Sequence, residues 1–306
     1  MQRIVPNIWS NGEAEAMGAF YASVLRSTTA EVSSRYPTAG LLPFQEPLAG
    51  QPLTVDLDID GYRMVIINAG PEFKPNASVS FLLNFDPLMF GGDTDAAIAE
   101  LDRVHAELLH GGRASLPLGE YPFSPHYAWV EDRYGVNWQL MLTNPAGDPR
   151  PFVVPWLQFP GTATGTSTGT ATDAAYRDAL DAIAMYTGLL PDSAPGFAVP
   201  HPDDATKTMF SEFRLYDQWF AASDGSAQAD AFSCGVSLEI RCETQAEIDT
   251  YWNALSAVPE AEQCGWLADR FGLSWQITPA NMGELMQRPH AFEHMLQMGR
   301  IIIDEL

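Results

Sequence analysis

The chain has 306 residues, 39 acidic against 16 basic, for a net charge of −23. A surface of that sign repels phosphate backbones and anionic lipid, which excludes nucleic acid and membrane surfaces as leading partners. The hydrophobic fraction of 46% and charged fraction of 18% suit a folded chain with room for about two cores of roughly 150 residues each. No stretch approaches the ~18 apolar residues of a membrane span, and the first residues run into a strand without an apolar leader. Cys234, Cys242 and Cys264 show no paired spacing. The expectation is a cytoplasmic protein with reduced thiols, no disulfide framework and no structural zinc.

In chain order, Ile4–Trp9 is an apolar strand, and Asn11-Gly12-Glu13 opens a helix with Ala16, Phe20, Tyr21 and Val24 at helical spacing. Strand-like runs near Thr29–Ser34, Leu53–Ile59 and Tyr62–Asn68 complete a β-α-β-β-β order. That order returns with a strand at Ser78–Phe85 and an amphipathic helix over Thr94–His110, its Ile98, Leu101, Val104 and Leu108 facing inward. Gly111-Gly112 stops the helix, and three strands follow.

A Pro/Gly linker, Asn144–Pro151, leads to Val153-Val154-Pro155-Trp156, an echo of Ile4-Val5-Pro6-Asn7. The Gly/Thr tract Gly161–Thr172 is too poor in apolar groups to order itself and is expected to be a mobile loop. Beyond it the sequence predicts a helix over Ala175–Leu190, strands near Thr208–Leu215 and Gln218–Ala222, a strand Ser233–Cys242 and a helix Thr244–Ser256. Closing strands follow, then a helix-like tail, Asn281–Leu306, whose Leu285, Met286, Met295, Leu296 and Met298 are available to dock.

The run Trp129-Val130-Glu131-Asp132-Arg133-Tyr134-Gly135-Val136-Asn137-Trp138-Gln139-Leu140 returns as Trp266-Leu267-Ala268-Asp269-Arg270-Phe271-Gly272-Leu273-Ser274-Trp275-Gln276-Ile277. The offset is constant, since 275 − 138 = 137 and 266 − 129 = 137. Each copy reads as strand, turn, strand, because a charged pair and a glycine interrupt an aromatic β-rich run. A repeat this long marks a tandem duplication of whole domains, residues 1–148 and 149–306, rather than a solenoid.

Paired β-α-β-β-β modules with an Asp-Arg-aromatic-Gly turn before a Trp-Gln strand resemble the vicinal oxygen chelate superfamily, the glyoxalase/bleomycin resistance/dioxygenase fold. Within it the chain is similar to the PhnB-like branch, some members of which carry the label demethylubiquinone methyltransferase. The residues carrying the resemblance are Ile4–Trp9 with Phe20-Tyr21, Asn68-Ala-Gly-Pro-Glu-Phe-Lys74 before Ser80-Phe81, Cys242–Trp252, Gln263–Gln276 and the Met295–Met298 tail. The resemblance implies an α+β fold of tandem glyoxalase-like domains, each built from paired modules forming a U-shaped mixed-sheet barrel around a small organic ligand. It also implies that the two halves pack as an intramolecular pseudo-dimer, leaving a monomer or weak homodimer in solution.

Metal-using members of the superfamily hold a divalent ion on His and Glu from the first, fifth and last strands, leaving open positions that polarise substrate oxygens. Here Gln139 and Gln276 stand at the last-strand glutamate position, the first strands offer Asn7 or Trp9 and Trp156 or Gln158, and the module-joining strands offer Glu239 alone. No metal and no cofactor is expected. Gln139 and Gln276 alternate with Trp138 and Trp275, so each glutamine faces the cavity if its tryptophan faces the core.

His126 and Tyr127, with their equivalents Gln263 and Cys264, are expected at the cavity mouth. Ligand-binding candidates are therefore Trp9, His126, Tyr127, Gln139, Glu239, Gln263, Cys264 and Gln276. His290 and His294 lie one turn apart with no third ligand. The expected function is binding of a small organic molecule; a metal-dependent lyase, isomerase or dioxygenase is the alternative. A methyltransferase rests on the family label alone, because the chain lacks a glycine-rich strand-to-helix turn for a nucleotide-type donor.

Overall fold

The structure is a computed structural model describing residues 2–43, 45–160, 178–225 and 230–306. The Gly/Thr tract Gly161–Thr172 and the expected first turn of the helix after it lie outside the described residues. The first half contains β1 (Ile4–Ser10), α1 (Ala14–Val24), β2 (Thr28–Arg35), β3 (Pro52–Ile59) and β4 (Tyr62–Asn68). Its second module is β5 (Val79–Phe85), α2 (Thr94–Leu109), β6 (Arg113–Tyr121), β7 (Ser124–Glu131) and β8 (Asn137–Leu142). The second half repeats them as β9 (Val153–Phe159), α3 (Asp178–Leu189), β10 (Ala194–His201), β11 (Asp204–Leu215) and β12 (Gln218–Asp224), then β13 (Val236–Cys242), α4 (Gln245–Leu255), β14 (Trp266–Ala268) and β15 (Ser274–Pro279). The tail holds two short helices, α5 (Met282–Leu285) and α6 (Ala291–Leu296).

These strands form two mixed sheets of paired modules, the expected α+β architecture, as open sheets with free edges rather than closed barrels. Sheet A has the order β14-β15-β13-β1-β4-β3-β2, and sheet B the order β10-β11-β12-β9-β5-β8-β7-β6. Each sheet draws one module from each half. The joins are antiparallel pairs between halves, β1 with β13 (Val5 opposite Glu239) and β5 with β9 (Leu82 opposite Val154).

Within each half, the helix of the first module packs on the turn of the second. Tyr21 of α1 donates from its hydroxyl to Asp132 at 2.8 Å, and Trp138 Nε1 donates to the same oxygen at 2.9 Å. The other Asp132 oxygen accepts the backbone N–H groups of Tyr134 and Val136, at 2.8 and 3.1 Å. Asp269 repeats the arrangement with Tyr186, Trp275, Phe271 and Leu273. Four donors compensate each buried carboxylate, although burial still raises its pKa above the usual aspartate value. The glycine of each turn, Gly135 or Gly272, sits at φ +85°, a left-handed conformation that other residues adopt at a cost.

Two departures from the sequence expectation bear on the site. β10 was not expected, because Pro195, Gly196 and Pro200 break its pattern; it is an edge strand with register shifts, where proline is tolerated. The last module has no counterpart of β6. Instead the tail runs along the rim of sheet A, where Cys264 N–H donates to Met298 O and Gly265 N–H to Gly299 O, both at 2.7 Å.

Candidate functional site

Helices α1–α4 cover one face of each sheet, and the opposite faces, free of those four helices, carry most of the sequence-named residues. On sheet B, pleat alternation sends Trp138 to the helix-side core and Gln139 to the other face. Gln139 Nε2 donates to Ser80 Oγ at 2.8 Å, and Tyr127 donates from its hydroxyl to Gln139 Oε1 at 2.5 Å. Both termini of the amide are thus committed and its orientation is fixed. Around this buried polar centre lies an apolar cluster of Leu82, Val154, Ala221, Met141, Trp156, Phe210 and Trp219.

Aromatic rings extend that surface outward. Phe210 meets Trp156 edge-on at 4.9 Å and Phe197 at 5.6 Å, while Phe123 stacks on Tyr121 at 5.7 Å. Phe123 and Phe197 are 59% and 54% exposed, so the aromatic rim is open to solvent. Arg150 lies 4.0 Å above the Trp219 ring and pairs with Glu212 at 2.9 Å, which neutralises its charge locally.

The corresponding face of sheet A is polar at its centre. Glu239 accepts from Thr278 Oγ1 at 2.7 Å, from Arg241 Nε at 3.0 Å and from Asn7 Nδ2 at 3.5 Å. Gln276 Nε2 donates to Ser237 Oγ at 2.8 Å, the same bond that Gln139 makes to Ser80. Trp9 and Trp266 meet edge-to-face at 6.4 Å, and Trp9 Nε1 donates to Gly70 O at 2.7 Å. Val5, Val65 and Ile67 form the apolar floor. The tail bridges the rims of this face, with Phe292 of α6 against Tyr36 at 6.3 Å and Gln263 Nε2 donating to Leu296 O at 2.7 Å.

Six of the eight sequence-named residues thus divide as Trp9, Glu239 and Gln276 on sheet A, Tyr127 and Gln139 on sheet B, and Cys264 at the rim of sheet A beneath the tail. His126 is a correction: one position out of phase with Tyr127, it faces the helix side, where its Nε2 lies 2.6 Å from Asp102 Oδ1 of α2. Gln263 lies at the rim of sheet A, where its amide Nε2 donates to Leu296 O of the tail. Burial raises the thiol pKa of all three cysteines, that of Cys242 to about 12, so none is a ready nucleophile. The sequence reading missed Trp156, Phe210 and Trp219 as one surface, because their strands meet only when the sheet forms. A surface hollow of about 480 Å³ between Ser193, Arg214 and Asp217 opens at the end of sheet B, where Arg214 lies 5.6 Å from the Trp219 ring.

The divalent ion of the wider superfamily does not fit this donor set. On sheet B the corresponding positions hold indole, alkyl and amide groups in Trp156, Leu82 and Gln139. On sheet A the corresponding positions offer one carboxylate, Glu239, whose two oxygens are already hydrogen-bonded. Among the described residues no group of three His, Cys, Asp or Glu side chains is placed to hold an ion.

A family model described as 3-demethylubiquinone-9 3-methyltransferase matches residues 2–141 and 174–278. Among solved structures, a putative 3-demethylubiquinone-9 3-methyltransferase, PhnB protein, from Bacillus cereus is 26% identical over 46% of this chain and 100% of its own, with a TM-score of 0.38. Glyoxalase I from Zea mays is 12% identical over 96% of this chain and 94% of its own, with a TM-score of 0.51, a likeness of fold that spans both halves. A search of curated proteins returned no match. The glyoxalase I fold runs through both halves, and with the family model spanning most of its length the chain belongs to the 3-demethylubiquinone-9 3-methyltransferase family.

Proposed function

We propose that the protein binds a small, flat, largely apolar organic molecule on the helix-free face of sheet B. The observation that carries this reading is the aromatic surface formed by Trp156, Phe210 and Trp219 around the fixed amide of Gln139. Aromatic faces supply large apolar contact at low entropic cost, and a few placed polar groups orient the guest. Gln139 comes from the first half and the three aromatics from the second, so the site requires the whole chain. Methyl transfer, named in the family description, finds no support in these residues: both sheets are mixed, and neither offers the doubly wound parallel arrangement of a nucleotide-type donor site.

Titration with Nile red, a flat neutral dye, tests the reading. Trp156→Ala and Phe210→Ala should each weaken binding about tenfold, which is about 1.4 kcal/mol. Wild-type affinity in both variants would refute it.

A further inference from the structure

The tail is held together by a sulfur-rich cluster. Its buried centre, Leu285, Ile301 and Leu306, is ringed by half-buried Met282, Met286, Met295, Met298 and Ile303, so four of these eight side chains are thioethers. The whole chain has eleven methionines, and in the main core Met17 and Met64 are shut from solvent. Order in the tail depends on this cluster, because α5 and α6 have four and six residues and are too short to persist without tertiary contacts. The remaining ties are few. The Cys264 and Gly265 amides donate to Met298 O and Gly299 O, Gln263 Nε2 donates to Leu296 O, and the Gln245 side chain bonds Ile301 O and the Ile303 amide. One of the thioether residues, Met298, therefore carries a carbonyl of the clasp itself.

We infer that the tail is a peroxide-sensitive clasp, with Met282, Met286, Met295 and Met298 as oxidation sites whose sulfoxides loosen it from the rim of sheet A. The oxidant is a hydroperoxide. A sulfur lone pair attacks the distal peroxide oxygen, the S–O bond forms as the O–O bond breaks, and the other oxygen takes up the proton and leaves as water or an alcohol. Sulfur is oxidised by two electrons and the peroxide is reduced by two. The neighbouring Cys264 competes poorly, since burial raises its thiol pKa and the thiolate is the reactive form. Each sulfoxide replaces an apolar sulfur with a polar group. Against Leu285, Ile301 and Leu306 its oxygen has apolar neighbours, and burying it there without a donor is unfavourable. The main core keeps its packing, because Met17 and Met64 are out of the oxidant's reach.

The test treats the full chain with graded hydrogen peroxide, maps sulfoxides by peptide mass, and follows amide exchange at Cys264 and Gly265. The four tail methionines should oxidise ahead of Met17 and Met64, and exchange at both amides should then accelerate at least tenfold. Treatment with a pair of methionine sulfoxide reductases, one for each sulfoxide epimer, should restore protection. Replacing all four by leucine, a volume-conserving change, should keep both amides protected at the same peroxide dose. Met209→Leu, which removes the exposed methionine of β11, should respond as the parent does. Met298→Gln, which sets a polar group at one of the sites, should accelerate exchange without peroxide. Protection that survives oxidation of all four residues would overturn the inference, as would equal acceleration in the four-leucine chain. Tail methionines still unoxidised when Met17 and Met64 carry oxygen would overturn it too.

Discussion

At the residue scale, the most constrained groups are Asp132 and Asp269, each accepting from a helix tyrosine, an indole and two backbone amides. Removing either carboxylate orphans four donors at once, so Asp132→Ala and Asp269→Ala should each lower stability by about 3 kcal/mol or more in urea unfolding. Tyr21→Phe and Tyr186→Phe remove one donor each and should cost about 1 kcal/mol. The sequence made the turn legible through its Asp-Arg-aromatic-Gly frame. It did not reveal the aspartate's role, because its tyrosine partner lies 111 residues away in the first half and 83 in the second.

Asp178 at the start of α3 shifts in the same direction, with a different consequence. Burial, reinforced by Asp224 and Asp181, pushes its carboxyl to about 6. The native state therefore holds this proton more tightly than the unfolded chain, whose aspartates titrate near ~3.9. Stability should fall as pH rises from about 4 to about 6 and then level off. Asp178→Asn should remove that slope and raise stability at pH 7 by about 1 kcal/mol, a figure reduced for the half-exposed position. A variant that unfolds at the same urea concentration as the parent across this range would show the carboxyl to be unperturbed.

At the scale of elements, helix periodicity and β-α-β-β-β order were readable from the sequence, and α1, α2 and α4 begin and end within a few residues of expectation. What escaped was edge behaviour. β10 carries two prolines that would disqualify an internal strand, and the missing counterpart of β6 has no positive signal at all. The tail fills that place with backbone bonds to Cys264 and Gly265. Deleting residues 282–306 would uncover the rim of sheet A and remove the apolar cluster of Leu285, Ile301 and Leu306. Amide exchange at Cys264 and Gly265 should then accelerate at least a hundredfold, with stability lower by about 3 kcal/mol. Unchanged exchange at those two amides would mean that the tail is dispensable to the rim.

At the scale of the molecule, duplication was legible and its consequence was not. The offset of 137 residues marked two similar halves, yet strand pairing between them depends on contacts far apart in sequence, such as Ile4 with Ile240. The side chain of Gln218 adds a second tie, accepting from the backbone of Arg3 and Ile4 and donating to Ile4 O. Expressed alone, residues 1–148 and 149–306 would each expose unpaired strand edges and should associate on mixing or aggregate separately. Two soluble, monomeric halves that ignore one another in light scattering would contradict the shared sheets.

The functional account rests on the same sharing, since Gln139 and Trp156 come from different halves and meet on one surface. A crystal structure of the full chain soaked with Nile red tests it most directly. The account predicts density for the dye on the helix-free face of sheet B, against Trp156 and Phe210 and within reach of the Gln139 amide. Dye bound only in the outer hollow beside Ser193 and Arg214, with the face of sheet B bare, would contradict it.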